Sequence, residues 1–96
     1  MQRILEFTIE WDEAKAHINL QKHGLSFEAA AYVFADSHRI EFYDSMHSSG
    51  EDRYITIGMV NNLITVVYTE RSENIRLISA RVSTAAERKL YYDNHR

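Results

Sequence analysis

The sequence predicts an α+β fold with elements in the order β-α-α-β-β-β-β-α: an antiparallel sheet packed by two N-terminal helices and a C-terminal helix. Three observations predict it. Between residues 53 and 82, three runs rich in β-branched and aromatic residues alternate apolar with polar and are separated by turn residues, the pattern of an antiparallel meander. Between residues 11 and 34, apolar residues instead recur at three- and four-residue spacing behind two capping residues, Asp12 and Ser26. Thr84-Ala85-Ala86-Glu87 has the form of a capping box opening a last helix. The 96 residues suit one domain spanning the whole chain.

In order, Ile4, Leu5, Phe7 and Ile9 supply a strand over residues 4–10. Asp12 caps a helix of about three turns whose Trp11, Ala14, Ile18 and Leu25 are expected to face the core, with Gly24 as its stop signal. Ser26 caps a second helix with Phe27, Ala30, Ala31 and Phe34 at i, i+3, i+4 and i+7. Arg39 to Tyr43 alternate as a strand, and residues 44–52, DSMHSSGED, form a polar loop. The meander follows over residues 53–60, 63–70 and 74–82, with a tight turn at Asn61-Asn62. The last helix runs from Thr84 nearly to Arg96. The hairpin of residues 63–81 is the centre of this plan, carrying Tyr68, Arg71, Arg76, Ser79 and Arg81.

The apolar fraction of 45% and the charged fraction of 26% are those of an ordinary globular chain. Absence of cysteine excludes disulfides, zinc fingers and thiol catalysis. No apolar run approaches the roughly 20 residues that span a bilayer, which points to a cytoplasmic protein without membrane contact. The net charge of −3 conceals an asymmetry: residues 1–70 hold 5 basic and 11 acidic side chains, residues 71–96 hold 6 and 3. A basic C-terminal quarter suits phosphates, and the acidic remainder suits a basic partner.

His17, His23, His38, His47 and His95 show no metal-ligand spacing, so neither metal nor cofactor is expected. Lys22-His23-Gly24 fits a helix C-terminus, and equally offers an imidazole for proton transfer beside a cation for phosphate. Residues 47–53 bring a histidine, two acids and Arg53 to a strand entry, either as a salt-bridged turn or as a phosphate site in which Arg53 makes a two-pronged contact. Strict alternation puts Arg76 on one face with Ile78 and Ala80, and Arg81 on the other, unless a bulge intervenes. On the last helix Arg88, Tyr92 and Arg96 lie four apart, a basic aromatic stripe suited to RNA or to a protein partner; Lys89 and Asp93 are placed to pair.

Taken together, the segments over residues 7–36, 47–58 and 66–91 resemble the BrnT family of type II toxins, small ribonucleases with a RelE-like fold. The resemblance rests on Trp11-Asp12, Lys22-His23-Gly24, Tyr68-Thr69-Glu70-Arg71 and Ile78-Ser79-Ala80-Arg81 at the family's spacing. Asp52 stands where the family often has a second glutamate, and Ser37 where proline frequently follows the aspartate. The resemblance implies an endoribonuclease and a BrnA-type antitoxin with a ribbon-helix-helix module, two copies of each chain, with DNA touched through the antitoxin alone. Applied to this chain, a metal-independent cleavage in which the 2′-OH attacks the neighbouring phosphate assigns proton transfer to His23 or Tyr68. It assigns phosphate to Arg53, Arg71, Arg76 and Arg81, and further RNA contacts to Lys22, Arg88 and Tyr92. The competing expectations are a non-catalytic module acting through its antitoxin complex and a metal-dependent nuclease.

Overall fold

A computed structural model describes residues 1–94; His95 and Arg96, and with them the end of the expected basic stripe, lie outside the described residues. The first expected strand is two. Strand β1 (Gln2–Ile4) turns back through Leu5, whose φ of 54° is left-handed, into β2 (Phe7–Glu10), pairing Gln2 with Ile9 and Ile4 with Phe7. No glycine or asparagine marks this turn, and a left-handed leucine costs about 1–2 kcal/mol, so the sequence carries no signal for it.

Helix α1 (Glu13–His23) is capped as expected: the Asp12 carboxylate accepts the Lys15 N–H at 3.0 Å, and Gly24 closes the helix in the left-handed region at φ 68°. Its buried face is Ala16 and Asn19, whereas Ile18, expected inside, is 59% exposed. The reason is position: α1 lies against the margin of the sheet and buries a narrow stripe. Helix α2 (Phe27–Ala30) runs into a 3₁₀ segment (Ala31–Ala35), and Phe27, Ala30, Ala31 and Phe34 are all buried, as their spacing requires.

Four strands follow: β3 (Ile40–Tyr43), β4 (Tyr54–Val60), β5 (Asn62–Arg71) and β6 (Asn74–Val82). The sheet order is β1-β2-β6-β5-β4-β3, antiparallel throughout except for the parallel β2–β6 pair, in which Ile9 opposes Ile75 and Glu10 opposes Arg76. Asn61, at φ 59°, makes the tight β4–β5 turn. Helix α3 (Ala85–Asp93) opens with a complete capping box, Thr84 Oγ1 accepting the Glu87 N–H at 3.2 Å and Glu87 Oε1 accepting the Thr84 N–H at 2.8 Å. The Lys89–Asp93 ion pair forms at 2.7 Å.

Each face of the sheet has its own core. On one, Ile9, Phe27, Phe34, Val66, Tyr68, Leu77 and Ala80 pack beneath α1 and α2. On the other, Ile57, Leu63 and Tyr91 form a smaller cluster with Ile40 and Ile55 beneath α3. At nine residues α3 is about 14 Å long, so it covers one end of that face and leaves the other open.

Two side chains satisfy backbone that the ladders leave unpaired. Asn19 accepts the Ala80 N–H at 3.1 Å and donates to the Ala80 and Leu25 carbonyls at 2.9 and 3.0 Å, closing the margin of β6 beyond β2. Asp36 accepts the Met59 N–H at 2.8 Å beyond the end of β3, the Tyr91 hydroxyl at 2.7 Å and the His38 N–H at 2.9 Å. Burial pushes the Asp36 pKa up, but these donors outweigh it and hold the carboxyl below its usual value.

Candidate active site

The hairpin of β5 and β6 is out of register by one residue: Val67 opposes Ser79, but Tyr68 opposes Leu77, so Ile78 is an extra residue in β6. This bulge reverses the alternation beyond it. Ile75, Leu77 and Ala80 face the α1/α2 core, while Arg76, Ser79 and Arg81 face the other side. The expected division of Arg76 and Arg81 between two faces is therefore corrected. The signal was present in residues 75–81, IRLISAR, which are apolar at 75, 77 and 80 and polar at 76, 79 and 81, an alternation interrupted by one inserted isoleucine.

With that phase, the open face reads as three rows across the strands. Ile40, Ile57, Thr65 and Arg81 form the row under α3; Phe42, Ile55, Val67 and Ser79 form the next; Arg53, Thr69, Arg76 and Glu10 form the third. Asp44 joins this third row, its N–H donating to the Arg53 carbonyl at 2.9 Å. Arg71 lies one step further along β5 on the same face, so Arg53, Arg71, Arg76 and Arg81 all converge on it.

They are not equally available. Arg81 is held by Glu87 through two short bonds of 2.6 and 2.9 Å. Burial raises the Glu87 pKa, but the bonds from Arg81 and the Thr84 N–H lower it further, to about 2. Arg76 donates to Glu10 at 2.7 Å, and Glu10, hydrogen-bonded first by Asn74 and then by Arg76, is held below its usual value. Arg71 sits 3.8 Å from Glu51, both side chains well exposed, an arrangement that solvent screens. Arg53 is in no ion pair among the described residues.

Loop 44–53 supplies a pair that sequence reasoning noted only as a histidine near acids. The buried Asp44 carboxylate faces His47 Nδ1 at 3.0 and 3.2 Å. An ionised carboxylate only accepts, so hydrogen-bond logic puts the proton on Nδ1 and leaves Nε2 of the neutral ring as an acceptor. Ser48 locks the loop: its hydroxyl donates to the Asp44 carbonyl at 2.6 Å and accepts the Arg53 N–H at 2.9 Å. Asp44, His47, Arg53, Val67, Ile78 and Ser79 line a concavity of about 180 Å³. A second, of about 170 Å³, is lined by Lys15, Ile18, Asn19, Lys22, His23, Ile78 and Ser79. The bulge is the wall they share, with His47 and Arg53 on one side and His23 and Lys22 on the other.

Other expected residues lie elsewhere. Tyr68 is on the opposite face, 6% exposed, edge-on to Phe34 at 5.2 Å and stacked on Tyr54 at 5.6 Å. Burial, then the carboxylates of Glu41 and Glu70, push its hydroxyl well above the ordinary phenol value, which suits packing and not proton transfer. Arg88 donates to Asn62 at 3.3 Å, at the end of β5 remote from Arg71, and Tyr92 is an exposed neighbour of Tyr91 on the same helix. Among the described residues no three His, Asp or Glu side chains converge as a metal site.

Residues 11–87 match the model of a family described as ribonuclease toxin, BrnT, of type II toxin-antitoxin systems. A search of curated proteins finds no match. The crystal structure of the Brucella abortus ribonuclease toxin BrnT superposes with a TM-score of 0.64 at 25% identity, covering 81% of this chain and 97% of that one. The RelE-like α+β expectation agrees with this likeness, and the chain belongs to the BrnT family of ribonuclease toxins of type II toxin–antitoxin systems.

Proposed function

We propose that this protein is an endoribonuclease toxin that cleaves RNA by metal-independent acid–base chemistry on the open sheet face. The observation that carries the reading is the Asp44–His47 pair beside Arg53, an arginine without a carboxylate partner among the described residues, in one concavity on the sheet face that α3 leaves open. In the reaction His47 Nε2 takes the proton from a ribose 2′-OH as that oxygen attacks the adjacent phosphorus. The P–O bond to the 5′ oxygen breaks, and an acid returns a proton to it, leaving a 2′,3′-cyclic phosphate and a 5′-hydroxyl. Asp44 holds the ring in the required tautomer, as a buried carboxylate does for a catalytic imidazole. Arg53 and Arg71 carry the phosphate charge, and His23 with Lys22, across the bulge, supplies the acid side. Arg76 and Arg81, tied to Glu10 and Glu87, fix the sheet and its helix and do not reach for substrate.

Purified protein incubated with RNA in excess chelator tests this directly. Cleavage is expected to persist; loss that a divalent cation restores makes the enzyme metal-dependent. His47→Ala is expected to lower the rate about 10²- to 10⁴-fold, and Asp44→Asn to lower it with a shifted pH profile. Folded His47→Ala and Arg53→Ala proteins that cleave like the wild type would sink the site.

Family membership makes an antitoxin the partner, and we assign it the BrnA type, in a complex with two copies of each chain whose DNA contacts are the antitoxin's. No helix among the described residues is long and apolar enough to cross a membrane, and the proposed substrate places the protein in the cytoplasm. Growth arrest on expression, relieved by the co-expressed antitoxin, is the expected phenotype. Indifference to expression favours a binding module acting through its complex.

A further inference from the structure

We propose that Phe42, Ile55 and Val67 form a stacking platform for one unpaired base of the substrate RNA, a reading that rests on the ribonuclease assignment above. The register sets Phe42 directly across from Ile55, and Ile55 across from Val67, so the three apolar side chains form one continuous row about 10 Å wide. Ile55 and Val67 are half-buried, Ile55 packing against the cluster beneath α3, and the row opens to solvent toward Phe42. One row away, Ile57 and Thr65 are sealed under α3, at 0% and 1% exposure, whereas Phe42 is 40% exposed on the edge strand. Phe42 belongs to neither core cluster.

Charge says what the strip takes. Two residues further along the strands, about 7 Å away, stand Arg53 and, opposite it, Asp44, whose carboxylate holds His47. A phosphate on Arg53 leaves its nucleotide's own base within reach of the Phe42 row. The free cation beside the strip favours this anionic ligand over a basic peptide. A duplex hides the faces of its bases, so a base lying on Phe42 must be unpaired, and RNA-binding proteins capture such bases on aromatic side chains. The row carries no hydrogen-bonding group until Ser79, so stacking here accepts any base and selects single-stranded RNA over duplex.

The test uses short single-stranded RNA, cleavable for kinetics and 2′-deoxy at the reacting nucleotide for binding. Phe42→Ala is expected to raise Kd and KM about 5-fold or more with kcat little changed. Phe42→Tyr is expected to restore both, and Phe42→Leu, which keeps apolar bulk without a ring, to restore neither. An abasic nucleotide next to the reacting phosphate should cost the wild type the same factor and cost Phe42→Ala almost nothing. Unchanged Kd and KM in folded Phe42→Ala, equal binding of duplex and single strand, or additive abasic and Phe42→Ala penalties would overturn the platform. So would a Phe42→Ala defect confined to binding a purified antitoxin, which would make the strip a protein-docking surface. A wild type that neither binds nor cleaves RNA overturns the ribonuclease reading itself, whereas a wild type that cleaves normally alongside an equally active Phe42→Ala removes the platform alone.

Discussion

Replacing Asn19 by aspartate changes one atom's chemistry in a buried site and is expected to destabilise the fold in a pH-dependent way. Asn19 is 5% exposed, and its amide makes three bonds: the oxygen accepts the Ala80 N–H, and the NH₂ donates to the carbonyls of Ala80 and Leu25. Asn19→Ala leaves the two backbone groups of Ala80, a residue at 0% exposure, without their side-chain partner at the margin of β6. Each unsatisfied buried group costs about 1–3 kcal/mol, so the loss is about 2–6 kcal/mol, a large part of a domain's typical 5–15. Asn19→Asp keeps the acceptor but turns a charged oxygen onto two carbonyls, so at pH 7 it is expected to cost at least as much. Burial and the facing carbonyls raise the folded-state pKa of that carboxyl above its unfolded value near 3.9. The protonated group donates to a carbonyl again, so the stability deficit shrinks on acidification and is full once the pH has risen through the folded pKa. Urea unfolding of wild type, Asn19→Ala and Asn19→Asp at pH 7 and pH 4.5 measures both effects. An Asn19→Ala protein within about 0.5 kcal/mol of wild type, or an Asn19→Asp deficit independent of pH, would refute the claim that this amide closes the strand.

Glu87, held near pKa 2 against an ordinary 4.5, contributes stability that is present above about pH 4.5 and lost as pH falls through 2. The shift corresponds to about 3 kcal/mol, which acid titration of the unfolding free energy should show in the wild type and not in Glu87→Gln. Tyr68→Phe removes the hydroxyl of a core ring and is expected to leave RNA cleavage within about 3-fold of wild type, since proton transfer of 10²–10⁴-fold worth is assigned elsewhere; a collapse of the rate in a folded protein would return Tyr68 to the chemistry. At Gly58 an added Cβ would sit 2.7 Å from Val33 Cγ2 and 3.2 Å from Arg39 Cβ, so Gly58→Ala is expected to lower stability by about 1–3 kcal/mol, read as a fall in Tm.

Local chemistry was legible in the sequence where a residue acts on its own neighbours. Asp12, Ser26, Gly24 and the Thr84–Glu87 box all act within four residues, and the structure has each cap in place. The buried face of α2 and its 3₁₀ extension was legible for the same reason. The face of α1 was not, because its orientation is set by Asn19 reaching a strand 61 residues away, and a polar residue at a core position contradicts any apolar pattern. The Asp44–His47 pair is only three residues long, yet its sequence resembles an ordinary polar loop. What distinguishes it is the burial of Asp44 under a turn locked by Ser48.

The arginines show how far one inserted residue reaches. A regular β6 would have turned Arg81 into the core beside Asn19 or forced Ala80 out of it; the bulge at Ile78 lets Leu77 and Ala80 both stay inside while Arg76 and Arg81 both stay out. Convergence alone does not make four equivalent ligands. Glu10, 66 residues from Arg76, and Glu87, six from Arg81, neutralise two of them in short bonds, Arg81 in the row under α3 and Arg76 in the same row as Arg53. Releasing either would leave a partly buried carboxylate without its partner, which is why the proposed site assigns substrate phosphate to Arg53 and the loosely held Arg71. The same bulge sets Ser79 beside His47 on one wall and His23 on the other. The packing device that completes the core is thus also the wall between the concavity of His47 and Arg53 and that of His23 and Lys22, which is why the proposed chemistry is read from the register of β6 and not from any linear motif.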